Sequence, residues 1–409
     1  MTISPPAKVK ITPENIFQVL ASGIDTLDLS IDVHWKDDTF FQYLEEMKSL
    51  AIQQENEYPI QFPGTEFFAV IQPYGRKGHK WIVNTGDFDM SIGDWLKPKS
   101  RPSIMLHIKS EALWREGARQ LVDYLSDLLI SVGAMLIGFK PSRIDLCLDM
   151  TFPSYLWNAD LIPLRVTRSQ HAAPYFDNQK MTGLSIGKGI VGARLYDKPL
   201  EISKKSHKFW MYDIWNIEMI IPEEVKIIRI EGQFRREALK ELGLDQFNYL
   251  LDKIDNLWGY FTQEWLKFQD NPGKHHTMRS TLPWWEIVQN SFLGVQNPFP
   301  LLRCKIFHPI KKHLFAQSYG TMTSLLAAIH EENDIPIGCN IRIKDLLHEI
   351  DNYSGKYGKG DFELEADLVA KRAKSNRIRT KMRLTHESRI AHGFPSNIKP
   401  EYYGGQSDE

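Results

Sequence analysis

The chain has 409 residues, 42% apolar and 25% charged, with 11 tryptophans, an ordinary make-up for a soluble globular protein of two or three domains with a large core. Fifty Lys and Arg against 51 Asp and Glu leave a formal net charge of −1, which argues against a uniformly basic nucleic-acid binder. No apolar run is long enough to span a membrane, the first residues lack a signal-peptide pattern, and Cys147, Cys304 and Cys339 are too few and scattered for a disulfide framework or a cysteine-rich zinc site, so the expected setting is a reducing cytoplasm.

Residues 1–23 read as a leader, loosest over 1–15. Residues 24–33 alternate, with Leu27, Leu29, Ile31 and Val33 on one face and Asp28, Ser30 and Asp32 on the other, the period of a half-buried strand. Residues 38–55 carry roughly helical apolar spacing behind an acidic start. Residues 66–108 break into short strands at glycines. Ser110 stands at the start of a helix that should run to Gly133. Residues 141–150 alternate again, placing Arg143, Asp145, Cys147 and Asp149 on one face.

Residues 181–203 predict two strands around the Gly187-Lys188-Gly189 turn. Residues 225–239 predict one more strand, with Arg229, Glu231, Gln233 and Arg235 aligned. Helical spacing follows to about residue 269, then an irregular segment rich in Pro and Trp. Helices are expected to dominate 301–391, and 392–409 reads as a flexible tail. Four strands therefore show one apolar and one charged face. The plan is α+β: a largely antiparallel, curved sheet with helices on one face, followed by a helical C-terminal region.

The charged faces hold the chemistry. Acids gathered on adjacent strands repel one another unless a cation is shared, and oxygen-only ligation suits Mg²⁺ or Mn²⁺. The plainer alternative is that each acid pairs with an arginine, Arg143, Arg194, Arg229 or Arg235. In the segment GARLYDK, Arg194, Tyr196 and Lys198 share one strand face. A phenol attacks poorly at neutral pH, but flanking cations favour its ionised form, and they also suit the charge that develops on a phosphodiester. The plainer alternative is a half-buried strand tyrosine. Lys188 sits in a glycine turn whose spacing does not fit a P-loop. His275-His276 lacks a partner at metal-ligand spacing, and His107 lacks a second histidine after an apolar residue. Eight Lys and Arg lie between Lys371 and Arg389 against one acid, either a solvated helix or an arm that contacts phosphates.

The ordered set SRIDLCLD (142–149), GLSIGKG followed by ARLYDKPLE (183–201) and RIEGQFRRE (229–237) resembles the replication initiation factor family of rolling-circle plasmid and phage initiators and related conjugative-transposon relaxases. Arg143, Asp145 and Asp149 match its first motif; Gly187, Arg194, Tyr196, Asp197, Lys198 and Glu201 match the second; Arg229 and Glu231 match the third. The resemblance covers residues 24–300 and implies a catalytic domain in which Tyr196 nicks one DNA strand and keeps the 5′ phosphate, with Arg194 and Lys198 as charge stabilisers. It implies a divalent cation, Mg²⁺ or Mn²⁺, held by Asp145, Glu231 and Asp149. Expected DNA contacts are Arg143, Lys188, Arg229 and Arg235, with Lys371, Arg372, Lys374, Arg377, Arg379, Lys381 and Arg383 from the basic run. The region after residue 300 carries no recognised motif; duplex DNA, a host helicase or another copy of the chain are its candidate partners. A non-catalytic origin-binding protein is the competing function.

Overall fold

The alternating segments become an open antiparallel sheet of 11 strands. In the computed structural model the described residues are 8–275, 278–295, 298–301 and 303, with 318, 321–327 and 348 beyond them. The chain divides into two units, Met1–Arg303 and Cys304–Glu409; in the second, residues 321–327 are helical. Among the described residues no helix is long and apolar enough to cross a membrane.

The strands are β1 (Val19–Trp35), β2 (Tyr58–Gln61), β3 (Phe68–Ile71), β4 (Trp81–Asn84), β5 (Phe88–Ile92), β6 (Ile104–Ile108), β7 (Ala134–Pro153), β8 (Arg165–Thr167), β9 (Ala172–Asp177), β10 (Lys180–Ile186), β11 (Val191–Asp197), β12 (Val225–Arg235) and β13 (Leu266–Phe268). Their order in the large sheet is β2-β3-β4-β5-β6-β1-β7-β12-β11-β10-β9, and β8 pairs with β13 in a separate ribbon. The helices are α1 (Thr39–Gln53), α2 (Ser110–Glu116), α3 (Ala118–Ser131), α4 (Lys198–Glu201), α5 (Met211–Ile214), α6 (Arg236–Glu241), α7 (Phe247–Asp252), α8 (Ile254–Gly259) and α9 (Pro283–Gln289). α4 runs into a π-helical turn, Ile202–Ser206, and α8 into another, Tyr260–Trp265.

Several boundaries differ from expectation. The helix from Ser110 breaks at Gly117, which adopts φ +82°, a conformation that only glycine takes without strain. β12 ends at Arg235, where α6 begins. The segment rich in Pro and Trp contains α9, whose Trp284 and Trp285 are buried. The leader is packed in part: Val9 bridges Ile217, and Ile11 is buried.

The two faces of the sheet are both covered, but unequally. On the apolar face, Ile144, Leu146, Leu148 and Met150 of β7 lie beside Ile228, Ile230 and Phe234 of β12, all buried. Trp284 of α9 meets Phe152 edge-on at 5.2 Å. Phe261 of the second π turn lies over Gly232, where an added Cβ would stand 3.0 Å from its ring. The opposite face has its own roof at one end only. Ile11, Ile202, Met211, Tyr212, Trp215 and Ile217 form a second apolar cluster over Val225 and Ile227 of β12, with Ala21 of β1 beneath. The other end of that face stays open.

Gly232→Val forces a branched side chain into the Phe261 ring. Overpacking of this kind costs about 1–3 kcal/mol, read as a lower denaturant midpoint; unchanged stability would show that the turn is not seated on the sheet.

Candidate functional site

Strand register assembles the site in parallel cross-strand rows on the charged face. One row runs Tyr175, Gly183, Tyr196, Arg229, Asp149, Ala21 across β9, β10, β11, β12, β7 and β1. The next runs Ser185, Arg194, Glu231, Cys147, Gly23. A third holds Gly192, Gln233, Asp145 and Thr26. A fourth holds Arg235, Arg143, Asp28, His107 and Asp89. Neighbouring strands lie about 4.8 Å apart, so each row brings chemically different groups within reach.

Tyr196 is at the centre of the arrangement. Its hydroxyl donates to Glu231 Oε2 at 3.1 Å, and Arg194 Nη1 donates to Oε1 of the same carboxylate at 3.2 Å. Lys198 Nζ lies 5.5 Å from the centre of the Tyr196 ring and is bonded to Glu201 Oε2 at 2.6 Å. Both cations expected beside the phenol are therefore present, but they differ in freedom. Arg194 is 54% exposed and can swing to a ligand, whereas Lys198 is 2% exposed and held. Asp197 caps α4 through its bond from the Leu200 amide, 3.1 Å, which turns the chain after the tyrosine and sets Lys198 under its ring.

A cleft of about 590 Å³ opens beside this group, with Arg194 and Tyr196 in its wall and Lys204 and Lys205 of the first π turn on its far side. Tyr175, 56% exposed, stands across Gly183 from Tyr196. A Cβ on Gly183 would lie 3.3 Å from Tyr196 Cβ and 3.7 Å from Tyr175 Cδ2; the glycine leaves a notch between two aromatic rings.

The carboxylates fall into two groups. Asp149 receives Nε and Nη2 of Arg229, both at 2.7 Å, and the Trp215 indole N–H at 2.8 Å. Asp25 receives Arg229 Nη1 at 2.6 Å and the Ser110 hydroxyl at 2.9 Å. Arg229 is fully buried under the second apolar cluster. Expectation is corrected for Arg229, which has no solvent exposure and is not available to DNA; Asp149, equally buried, is its counter-ion. Burial works against the Asp25 charge, but Arg229, Lys208 and Lys198 outweigh it and hold the carboxyl well below the usual range.

Asp145 and Glu231 form the second group. Asp145 is bonded by Arg143 and, at 3.3 Å, by Gln233 Nε2. Burial raises its pKa, against the pull of Arg143. Burial, then repulsion from Asp25 and Asp145, pushes Glu231 up to about 7. Two carboxylates on adjacent strands, each with one partly exposed arginine as its ion-pair partner, have the oxygen chemistry that suits a hard divalent cation. Among the described residues no cluster of three or more His, Cys, Asp or Glu is arranged to hold a metal. The flanking cations do not lower the phenol: burial first, then Glu231, raises Tyr196 well above the ordinary value. The side chain keeps some exposure to solvent, but dense packing around it outweighs Arg229 and the other cations, and in the free protein the hydroxyl is a donor.

Arg143 and Arg235 face each other in the fourth row at the open end, and Lys188 is exposed in the β10–β11 turn. Lys371, Arg372, Lys374, Arg377, Arg379, Lys381 and Arg383 lie outside the described residues. Sequence alternation misses Asp25. It falls in phase with the apolar residues, and a register shift between Ile24 and Thr26 brings it onto the charged side, as a bulge does by adding one residue to one strand. His107 Nδ1 contacts Asp28 Oδ1 at 2.6 Å, another link that only the register reveals. No family model matches the chain, and no curated protein sequence matches it either.

Two outcomes follow. Asp149→Ala leaves Arg229 buried with half its partners and costs about 3–5 kcal/mol in chemical denaturation, whereas replacing the whole triad, Arg229→Met with Asp149→Leu and Asp25→Asn, recovers most of that loss. For Glu231 the folded carboxyl keeps its proton where the unfolded one releases it. Its stabilising effect is therefore greatest below about pH 4.5 and is lost as pH rises to 7. Glu231→Gln should match the wild type in unfolding free energy at pH 4.5 and exceed it at pH 8, by on the order of 2–3 kcal/mol; equal free energies at both pH values would contradict the burial of this charge.

Proposed function

We propose that this protein is a metal-dependent DNA nickase that cuts one strand through Tyr196 and holds the 5′ phosphate as a phosphotyrosine ester, the chemistry of rolling-circle initiators and of relaxases. The observation that carries this reading is the bonded set Tyr196–Glu231–Arg194 at the mouth of a cleft, with Asp145 one row away.

Each residue has work in that reaction. Glu231 already accepts the bond from the Tyr196 hydroxyl, so it is placed to take the proton as Tyr196 Oη attacks phosphorus. The new O–P bond forms as the bond to the 3′ oxygen breaks, and the freed 3′ oxygen takes a proton from water. Charge developing on the phosphoryl oxygens falls beside Arg194, whose exposed guanidinium can leave Glu231 for phosphate. Lys198, fixed under the ring, stabilises the phenolate as it forms. A divalent cation on Asp145 and Glu231 would supply Lewis-acid polarisation of the same phosphate. The notch at Gly183, between Tyr175 and Tyr196, suits an unpaired base stacked next to the scissile phosphate. Replication and conjugative transfer share this chemistry.

Incubation with Mn²⁺ and a randomised pool of single-stranded oligonucleotides, followed by denaturation and proteolysis, should yield a nucleotide-bearing peptide containing Tyr196. The adduct should vanish in Tyr196→Phe. An adduct on another residue, or none from the wild type, overturns the assignment and favours an origin-binding protein without catalysis.

A further inference from the structure

A second cleft, of about 970 Å³, lies along the β8–β13 ribbon. Arg165, Arg168, Lys267 and Arg279 line it against a single carboxylate, Glu264. The way these cations are held is informative. Arg279 Nε donates to the Lys274 carbonyl at 2.7 Å and its Nη2 to the Pro272 carbonyl at 2.6 Å. Arg165 Nη1 donates to the Ile162 carbonyl. Carbonyl oxygens are neutral, so they fix these guanidinium planes without cancelling the charge. Only Arg168 meets the acid, through Nη2 to Glu264 Oε2 at 2.9 Å.

A chain of net charge −1 thus gathers four cations around one acid in one cleft. Like charges held together and left uncompensated raise the local potential and attract anions. The lining contains no aromatic residue, so nothing there stacks an unpaired base, in contrast to the Tyr175–Tyr196 notch. Thr167 and Ser169 add hydroxyls of the kind that contact phosphate and sugar. The size exceeds what one small anion fills.

We propose that this cleft grips the sugar–phosphate backbone of duplex DNA, without reading bases, and anchors the substrate whose strand is cut at Tyr196. The inference rests on the nickase reading for its choice of polyanion, but its test does not depend on cleavage.

Binding of a mixed-sequence duplex is measured by anisotropy between about 50 and 200 mM salt. Arg168→Gln with Lys267→Gln should weaken binding about tenfold or more at the low end. The slope of log affinity against log salt should fall by about 2, at roughly 0.9 for each phosphate that is no longer neutralised. Arg168→Lys, which keeps the charge, should retain the slope. Tyr196→Phe should bind as the wild type does, which separates failure of this site from failure of the nucleophile. The matched control Lys77→Gln with Lys97→Gln, two exposed lysines elsewhere, should change little. The proposal is overturned by an unchanged slope in the cleft variant, by an equal weakening in the control, or by a weakening confined to single-stranded DNA.

Discussion

The ion triad of Arg229 with Asp149 and Asp25 is the constraint on which the rest of the charged face depends. A guanidinium with no solvent exposure is tolerated because each of its three nitrogens meets a carboxylate, and Nη2 the Met211 sulfur as well. That requirement ties β12 to β7 and to the bulge of β1, and it fixes the register of three strands at once. With Arg229 satisfied internally, Glu231 is left with Arg194 and a phenol, and Asp145 with Arg143 and an amide. The structure thus separates acids that hold the fold from acids that are under-neutralised, although both kinds sit on the same strand faces.

The same division explains why the phenol is a donor at rest. Burial raises the phenol more strongly than Arg229 lowers it. The acceptor that touches the hydroxyl is Glu231, itself pushed up to about 7. Burial is the largest cause of the shift in both groups.

The period-two alternation in residues 24–33, 141–150, 181–203 and 225–239 is sufficient to read the α+β plan, the antiparallel sheet and the strand faces that carry Arg143, Asp145, Arg194, Tyr196 and Glu231. What alternation cannot show is where a strand gains a residue, and for that reason it puts Asp25 on the wrong side. It also cannot show what lies above a face. Arg229 and Arg235 are indistinguishable in sequence, yet one is covered by Trp215, Met211 and their neighbours while the other is exposed. The cationic cleft is hidden from the sequence for a related reason: Arg165 and Arg168 are about a hundred residues from Lys267 and Arg279, and only the pairing of two three-residue strands brings them together.

The span of the triad has a kinetic consequence. Arg229 and Asp25 are 204 positions apart, and Tyr196 meets Glu231 only after β12 has docked between β11 and β7. Long-range closure of this kind is slow to form and comes late in folding. A nascent or clipped chain lacking β12 therefore carries Tyr196 and Arg194 without the Glu231 carboxylate that joins them, and the bonded set exists only once β12 is in place.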